Sequence, residues 1–279
     1  MLVKKSPRSV SNYLSFKVKN MGKKIAFIPT MGSLHEGHLS LIKKAKTKGY
    51  YTIVSIYINP SQFSQSEDFT KYPRSLKNDL LKLKKISTDL VFTPCQKDIS
   101  AYSHRKYKYK TFKIERKLCG KSRPKHFFGV SEIVLKLLSI LQPNIAYFGE
   151  KDYQQFFFIK TIIKQIPINT NILMVRTVRE KSGLAMSSRN NYLTEKEMEI
   201  AKNIYKSLKN TRKLIKMGFD SKKVLFKEKH FLLKMGLTKI EYMTIKTNDL
   251  KRSVAPHNES RIFIAAKINN VRLIDNLLI

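Results

Sequence analysis

Short apolar runs alternate, over roughly the first two thirds of the chain, with longer stretches whose apolar positions return every third or fourth residue. The short runs are too brief for buried helices and rich in β-branched and aromatic residues, so they predict strands; the longer stretches predict amphipathic helices. Lys24–Pro29 is one such run, followed by a Thr30-Met31-Gly32 turn and an amphipathic stretch from about His35 to Lys46. Tyr51–Ile58 predicts the next strand, ended by Asn59-Pro60 because proline cannot donate to a ladder. A helical pattern through Leu76, Leu80, Leu81 and Leu83 leads to a strand at Leu90-Val91-Phe92. Farther on, an apolar helix near Val130–Leu141, a strand Asn144–Phe148 closed by Gly149, a helix over Asp152–Gln165 and a strand Asn171–Val175 continue the alternation. Such alternation predicts a parallel sheet covered by helices on both faces. It stops near residue 176, after which two helices, Thr194–Met217 and Ser221–Met235, precede β-like runs at Lys239–Thr244, Arg261–Lys267 and Val271–Asn276. The expected architecture is an α/β domain over residues 1–176 and a smaller α+β domain over residues 177–279.

Composition changes this picture little. With 279 residues, 42% of them hydrophobic, the chain can bury a real core and is not disordered. Cys95 and Cys119 are the only cysteines and form no C-x-x-C pair, so neither a disulfide framework nor a zinc cluster is expected. Lysines interrupt every apolar run, which excludes a membrane-spanning helix, and Lys4, Lys5, Arg8, Lys17 and Lys19 leave no apolar core for a signal peptide. A cytoplasmic location is the expectation.

The net charge of +35, from 55 Lys and Arg against 20 Asp and Glu, raises the question of nucleic acid. The basic residues are spread over nearly every segment rather than gathered in a patch or tail, so no specific nucleic-acid partner is expected. Only His104-Arg105-Lys106-Tyr107-Lys108-Tyr109-Lys110 resembles a patch, and its period of two reads as a half-buried strand with tyrosines inward. The charge does favour anionic ligands.

Candidate chemistry falls where strands end and helices begin, the positions at which parallel sheets bind ligands and helix N-termini offer N–H groups to phosphates. Pro29 to His38 occupies the first such turn; His35 and His38, three residues apart, share one face of the helix's first turn, and Gly32 and Gly37 allow close approach. Histidines there also serve as helix caps, and a metal pair would need a third ligand that the neighbourhood lacks. Phe148 to Gln155 marks a second strand end, with Lys151 placed to meet a phosphate, Asp152 to cap a helix and Gln155 to bind a polar substrate. Gly183 to Asn191 carries Met186, Ser187, Ser188 and Arg189, two hydroxyls and a guanidinium suited to a mobile phosphate clamp. Asn59 to Phe63 places Gln62, a donor and an acceptor, at another strand end. Each segment alone is also what an ordinary capped helix or polar loop would show. The four together point to one nucleotide-using site.

These segments, with Tyr72-Pro73-Arg74, Ser122-Arg123-Pro124, His126-Phe127 and Thr177-Val178-Arg179, resemble the pantothenate synthetase (pantoate-beta-alanine ligase) family of the nucleotidylyltransferase superfamily. The likeness spans most of residues 25–195, and the C-terminal third matches only in length and pattern. It implies a Rossmann-like catalytic domain with a C-terminal lid domain, and a homodimer. It also implies a two-step reaction in which pantoate and ATP give pantoyl adenylate and pyrophosphate, and β-alanine then displaces AMP to give pantothenate. By that resemblance Met31, Gly32, Ser33, Leu34, His35, Glu36, Gly37 and His38 line the ATP site. His38 is the proton donor there and His35 helps at the phosphates. Gly149, Glu150, Lys151 and Asp152 hold the nucleotide, Val178 meets adenine, and Met186, Ser187, Ser188 and Arg189 close over the triphosphate. Lys151 and Arg189 thereby join the catalytic set. Gln62 and Gln155 bind pantoate, and Gln62 also lies near β-alanine. Magnesium accompanies ATP, with Asp79 beside it. Lys125 and Phe128 depart from the usual R-P-x-H-F-x-G-V pattern, and Asn78 stands where a second acid is usual. A sister nucleotidylyltransferase would share the histidines but not the paired glutamines. A decayed enzyme turned basic nucleic-acid binder would show salt-sensitive binding and no turnover.

Overall fold

The computed structural model describes residues 1–18, 20–63, 69, 72–102, 107–253 and 259–279. It divides into two compact units, one of residues 1–149 and 155–176, the other of residues 150–154 and 177–279.

The first unit is built on a six-stranded sheet, all parallel, in the order β1-β4-β3-β2-β5-β6: β1 (Leu2–Lys4), β2 (Ile25–Thr30), β3 (Tyr51–Ile56), β4 (Leu90–Phe92), β5 (Ile145–Gly149) and β6 (Asn171–Val175). Its helices are α1 (Pro7–Tyr13), α2 (Glu36–Lys46), α3 (Leu76–Lys85), α4 (Gln96–Ala101), α5 (Cys119–Ser122), α6 (His126–Leu141) and α7 (Tyr153–Ile163), whose first two residues group with the second unit. The apolar runs become strands that are buried on both faces, with nearly every residue of β2, β3, β4 and β5 inside; on one face Ala26 and Ile28 of β2 join Val54, Val91, Leu39, Ile42 and Ala45 in one cluster. Most of α6 is buried, as its nearly unbroken apolar sequence requires. Lys136, the basic residue in that run, is itself buried; it donates to Ile99 O at 3.2 Å and pairs with Glu132 of the same helix at 3.3 Å. From β2 the chain runs outward through β3 and β4, then returns to add β5 on the other side. The order therefore reverses between β2 and β5, the position where open parallel sheets bind ligands.

The second unit carries α8 (Glu195–Ala201), α9 (Asn203–Lys216), α10 (Ser221–Lys234) and an antiparallel sheet β7-β8-β9 made of Lys239–Thr247, Ser260–Ile268 and Val271–Leu278. Leu208, Leu232, Met243, Ile262, Ile264 and Leu273 bind helices and sheet into one core. A Thr194–Glu197 capping box starts α8.

The α/β fold class with a smaller α+β part holds. Two local expectations do not. Tyr107–Lys110 is irregular rather than a strand, and residues 104–106 of that expected strand lie outside the described residues. The Gln165 side chain supplies what a ladder would have: Lys110 N donates to its Oε1 at 2.9 Å and its Nε2 donates to Lys110 O at 3.0 Å. The helix expected over 194–217 is two helices that meet at Lys202. Among the described residues no helix is long and apolar enough to cross a membrane.

Candidate active site

The turn after β2 is held from below by one carboxylate. Ser33 N donates to Asp79 Oδ2 and Leu34 N to Asp79 Oδ1, both at 2.8 Å, while Lys82, one helical turn on, donates to Leu34 O at 2.5 Å. Gly32, at φ +82°, fits here because a Cβ would sit 3.1 Å from Asp79 Oδ2 and 3.2 Å from Ile56 Cγ2. Asp79, expected beside a metal, is fully buried with a backbone donor on each oxygen, and it positions the turn. Among the described residues no group of three or more His, Cys, Asp or Glu could hold a metal ion.

That turn delivers His35 to the N-cap of α2. His35 Nδ1 accepts from Gly37 N at 3.1 Å and His38 Nδ1 accepts from His35 N at 3.4 Å, with the ring centroids 4.1 Å apart. Both histidines are therefore caps. An imidazole that accepts through Nδ1 carries its proton on Nε2, so capping itself fixes each ring as an Nε2–H donor at the head of the helix. Met31, Ser33, Leu34, Glu36 and Gly37 form the rest of this turn, and Glu36 pairs with Lys43 at 3.0 Å on the exposed side.

Gln62 ends a 3₁₀ turn (Pro60–Gln62) that follows β3 and is buried. Asn59 Nδ2 donates to Gly129 O at 2.9 Å, and Gly129 has no room for a side chain, since a Cβ would lie 2.3 Å from Ser61 O. Gln62 O accepts from Arg123 Nη2 at 3.3 Å and lies 2.8 Å from His126 Nδ1. Arg123 thus faces this carbonyl. Gly129→Ala must push the turn away from α6 and should cost about 1–3 kcal/mol of stability; urea unfolding of the purified variant measures it, and a cost below about 0.5 kcal/mol would show the turn is not locked there. Gln155 lies half-buried in the first turn of α7.

In the second unit, Glu150–Asp152 forms a 3₁₀ turn after Gly149 that is anchored from the C-terminal strands. Asn276 Nδ2 donates to Glu150 O at 2.9 Å and to Lys151 O at 3.0 Å, and Arg261 Nη1 donates to Glu150 Oε1 at 2.9 Å and to Asn276 Oδ1 at 2.5 Å. Thr177 N donates to Glu150 Oε2 at 3.1 Å. Glu150, expected among the nucleotide contacts, has both carboxylate oxygens engaged in this anchor. Lys151 Nζ lies 3.4 Å from Asp152 Oδ1. The Arg261 guanidinium stacks 4.3 Å above Tyr153, whose hydroxyl donates to Asn248 O; burial pushes that phenol up, against the pull of Arg261. Val178 O accepts from Met186 N at 3.0 Å, which ties the expected adenine contact to the loop Met186–Arg189. Ser187 caps the following 3₁₀ helix by accepting from Arg189 N, Ser188 is its buried first residue, and Asn190 donates to Glu180 and to Ala185 O. Arg179 pairs with Asp275 at 2.6 and 3.0 Å and stacks 3.7 Å over Tyr205.

Sequence reasoning missed Arg261, Asp275 and Asn276. The signal was present in the buried polar pair Asp275-Asn276 within the apolar run Val271–Leu278, since buried polar groups demand partners.

The sequence model of the Pantoate-beta-alanine ligase family matches residues 3–278. A pantothenate synthetase of Carboxydothermus hydrogenoformans is 41% identical over 263 residues, covering 94% of this chain and 93% of that protein. One from Thermodesulfovibrio yellowstonii is 42% identical over 274 residues, 98% and 96% of the two chains. The crystal structure of pantothenate synthetase from Thermus thermophilus superposes with a TM-score of 0.91 at 30% identity, covering 100% of this chain and 99% of that one. That of the Francisella tularensis pantoate-beta-alanine ligase, complexed with beta-gamma ATP and beta-alanine, gives 0.83 at 39% identity, with 100% and 97% covered.

Proposed function

The chain belongs to the pantoate-beta-alanine ligase family, and from that premise we propose that it condenses pantoate with β-alanine, using ATP, through a pantoyl adenylate. The observation that carries this reading is the pair of capping histidines, each an Nε2–H donor, at the sheet's topological switch point.

In the first step the pantoate carboxylate attacks the α-phosphorus of ATP, and the bond to the bridging oxygen breaks as pyrophosphate leaves. Charge gathers on that leaving group, so donors already oriented toward phosphate lower the barrier. His38 serves as the donor and His35 assists it. Lys151 and Arg189 supply positive charge, Ser187 and Ser188 supply hydroxyls, and the backbone from Met31 to Gly37 and at Gly149 admits the nucleotide. Asp152 meets the ribose and Val178 the adenine. The amides of Gln62 and Gln155 bind the pantoate hydroxyls, with Gln62 also bordering the β-alanine position. In the second step the β-alanine amine attacks the acyl carbon, AMP departs with the shared oxygen, and the amine releases a proton. No acyl-enzyme is required. The complex of the Francisella relative with beta-gamma ATP and beta-alanine supports both substrates. Asp79 is fully buried and each of its oxygens takes a backbone N–H, so it serves the reading by holding the turn; magnesium enters on the ATP phosphates as part of the substrate. A cytoplasmic homodimer completes the reading, and sedimentation tests the dimer.

The deciding experiment supplies ATP, magnesium, D-pantoate and β-alanine together and with each omitted, and follows AMP, pyrophosphate and pantothenate. AMP and pantothenate in equal amounts, only with both acids present, is the expected result. A folded sample that makes neither overturns the reading.

A further inference from the structure

We propose that His126, braced by Arg123, is a positioning residue for Gln62, holding its peptide so that the side-chain amide meets pantoate; this rests on the reading that Gln62 binds pantoate. A main-chain carbonyl oxygen only accepts, so the 2.8 Å contact from His126 Nδ1 to Gln62 O requires the proton on Nδ1. A guanidinium only donates, so the 3.1 Å contact between Arg123 Nη1 and His126 Nε2 requires the lone pair on Nε2. Both contacts are met by one species, the neutral Nδ1–H imidazole, and Arg123 Nη2 adds a second donor to the same carbonyl at 3.3 Å. This is the tautomer opposite to that of His35 and His38, and it is set by Arg123.

The turn has a second attachment on the same helix. Asn59 Nδ2 binds Gly129 O, and the bare Gly129 lets Ser61 lie against α6 three residues after His126. Gln62 N also donates to Asn59 O at 3.2 Å, so both the N–H and the C=O of Gln62 are fixed. Its side chain therefore starts from a Cα whose two flanking peptides are both held by hydrogen bonds, which is what a substrate-reading amide needs. Arg123 and His126 stand on either side of Lys125, whose φ of +72° is in the left-handed region; the turn bends there to aim both side chains at one oxygen.

The test uses the full chain and two replacements that separate the ring nitrogens. An asparagine amide nitrogen falls near imidazole Nδ1, a glutamine amide nitrogen near Nε2. His126→Asn keeps the donor to Gln62 O and should leave the pantoate KM within about threefold of wild type, whereas His126→Gln should raise it roughly tenfold, with the ATP KM changed less than about threefold in both. Adding His126→Gln to Gln62→Ala should raise the pantoate KM no further, because the amide it positions is already gone. Equal behaviour of the two His126 variants, or a further rise on the Gln62→Ala background, overturns the positioning role while leaving Gln62 as a pantoate contact. A Gln62→Ala variant with unchanged pantoate KM overturns the reading of Gln62 and the proposal with it. Independently of activity, nitrogen NMR of the histidine-labelled wild-type protein should show His126 as the neutral Nδ1–H tautomer; an Nε2–H or doubly protonated ring at neutral pH overturns the proposal.

Discussion

His38→Ala should lower the rate of pyrophosphate release by about a hundredfold, within the range usual for a general acid. The ring has two separable tasks. Its Nδ1 accepts from His35 N and helps cap α2, while its Nε2 carries the proton that the proposed reaction offers to phosphate. Alanine removes both, so it should also cost about 1 kcal/mol of stability as a lost cap. His38→Asn divides the tasks, because the asparagine Oδ1 can take the place of Nδ1 while nothing replaces Nε2. The asparagine variant should therefore keep wild-type stability and still lose about a hundredfold in rate. Pyrophosphate release with pantoate and ATP, set beside urea unfolding of both variants, measures the two effects. Near-wild-type release by His38→Asn would remove His38 from the proton-donor role and leave it a cap.

What the sequence showed and what it hid divide along the range of the interactions. Strands β2 to β6 and helices α2, α3, α6 and α7 were legible because period and apolar run length are local properties. β1 was not: Leu2-Val3-Lys4 is too short to show a period, and it is a strand because it pairs in register with Leu90, Val91 and Phe92. The Lys/Tyr alternation failed for the same reason in reverse, since a distant side chain, Gln165, took the backbone bonds at Lys110 that a neighbouring strand would have made. The site followed suit. His35 and His38 could be placed on one helical turn from spacing alone, but that each would cap through Nδ1 and so become an Nε2–H donor depends on rotamers no spacing encodes. Asp79 was placed beside magnesium by resemblance alone; only the fold shows it buried and bound by Ser33 and Leu34, 46 and 45 residues away in the chain. Nor could spacing show that the Glu150 carboxylate is held by Arg261 across 111 residues. For the charge of +35 too, distribution over the chain rather than sum is what bears on partners.

Asp275→Ala should destabilise the second unit by about 3–5 kcal/mol, the cost of leaving a buried charge without its partner. Asp275 on β9 is nearly inaccessible, Arg179 is largely so, and the two share paired bonds at 2.6 and 3.0 Å. The carboxylate also accepts from Asn276 N at 2.7 Å, so its loss reaches the residue whose side chain holds the carbonyls of Glu150 and Lys151. Burial pushes the Asp275 carboxyl up, and the opposing pull of Arg179 does not fully restore it. A carboxyl raised on folding contributes its stability below the ordinary carboxylate range and loses it as pH climbs through the raised value. Asp275→Asn should cost less than alanine, since the amide oxygen still accepts one of the two Arg179 bonds, although the amide nitrogen replaces the other acceptor. It should also flatten the loss of stability with rising pH expected of the wild type. Hydrogen exchange of the β8 and β9 amides, which reports this unit separately, measures both variants across pH. If asparagine costs as much as alanine, the pair acts through its full charge and the desolvation argument fails; if alanine costs less than about 1 kcal/mol, Arg179 has found another partner and Asp275 is not the anchor of the strand.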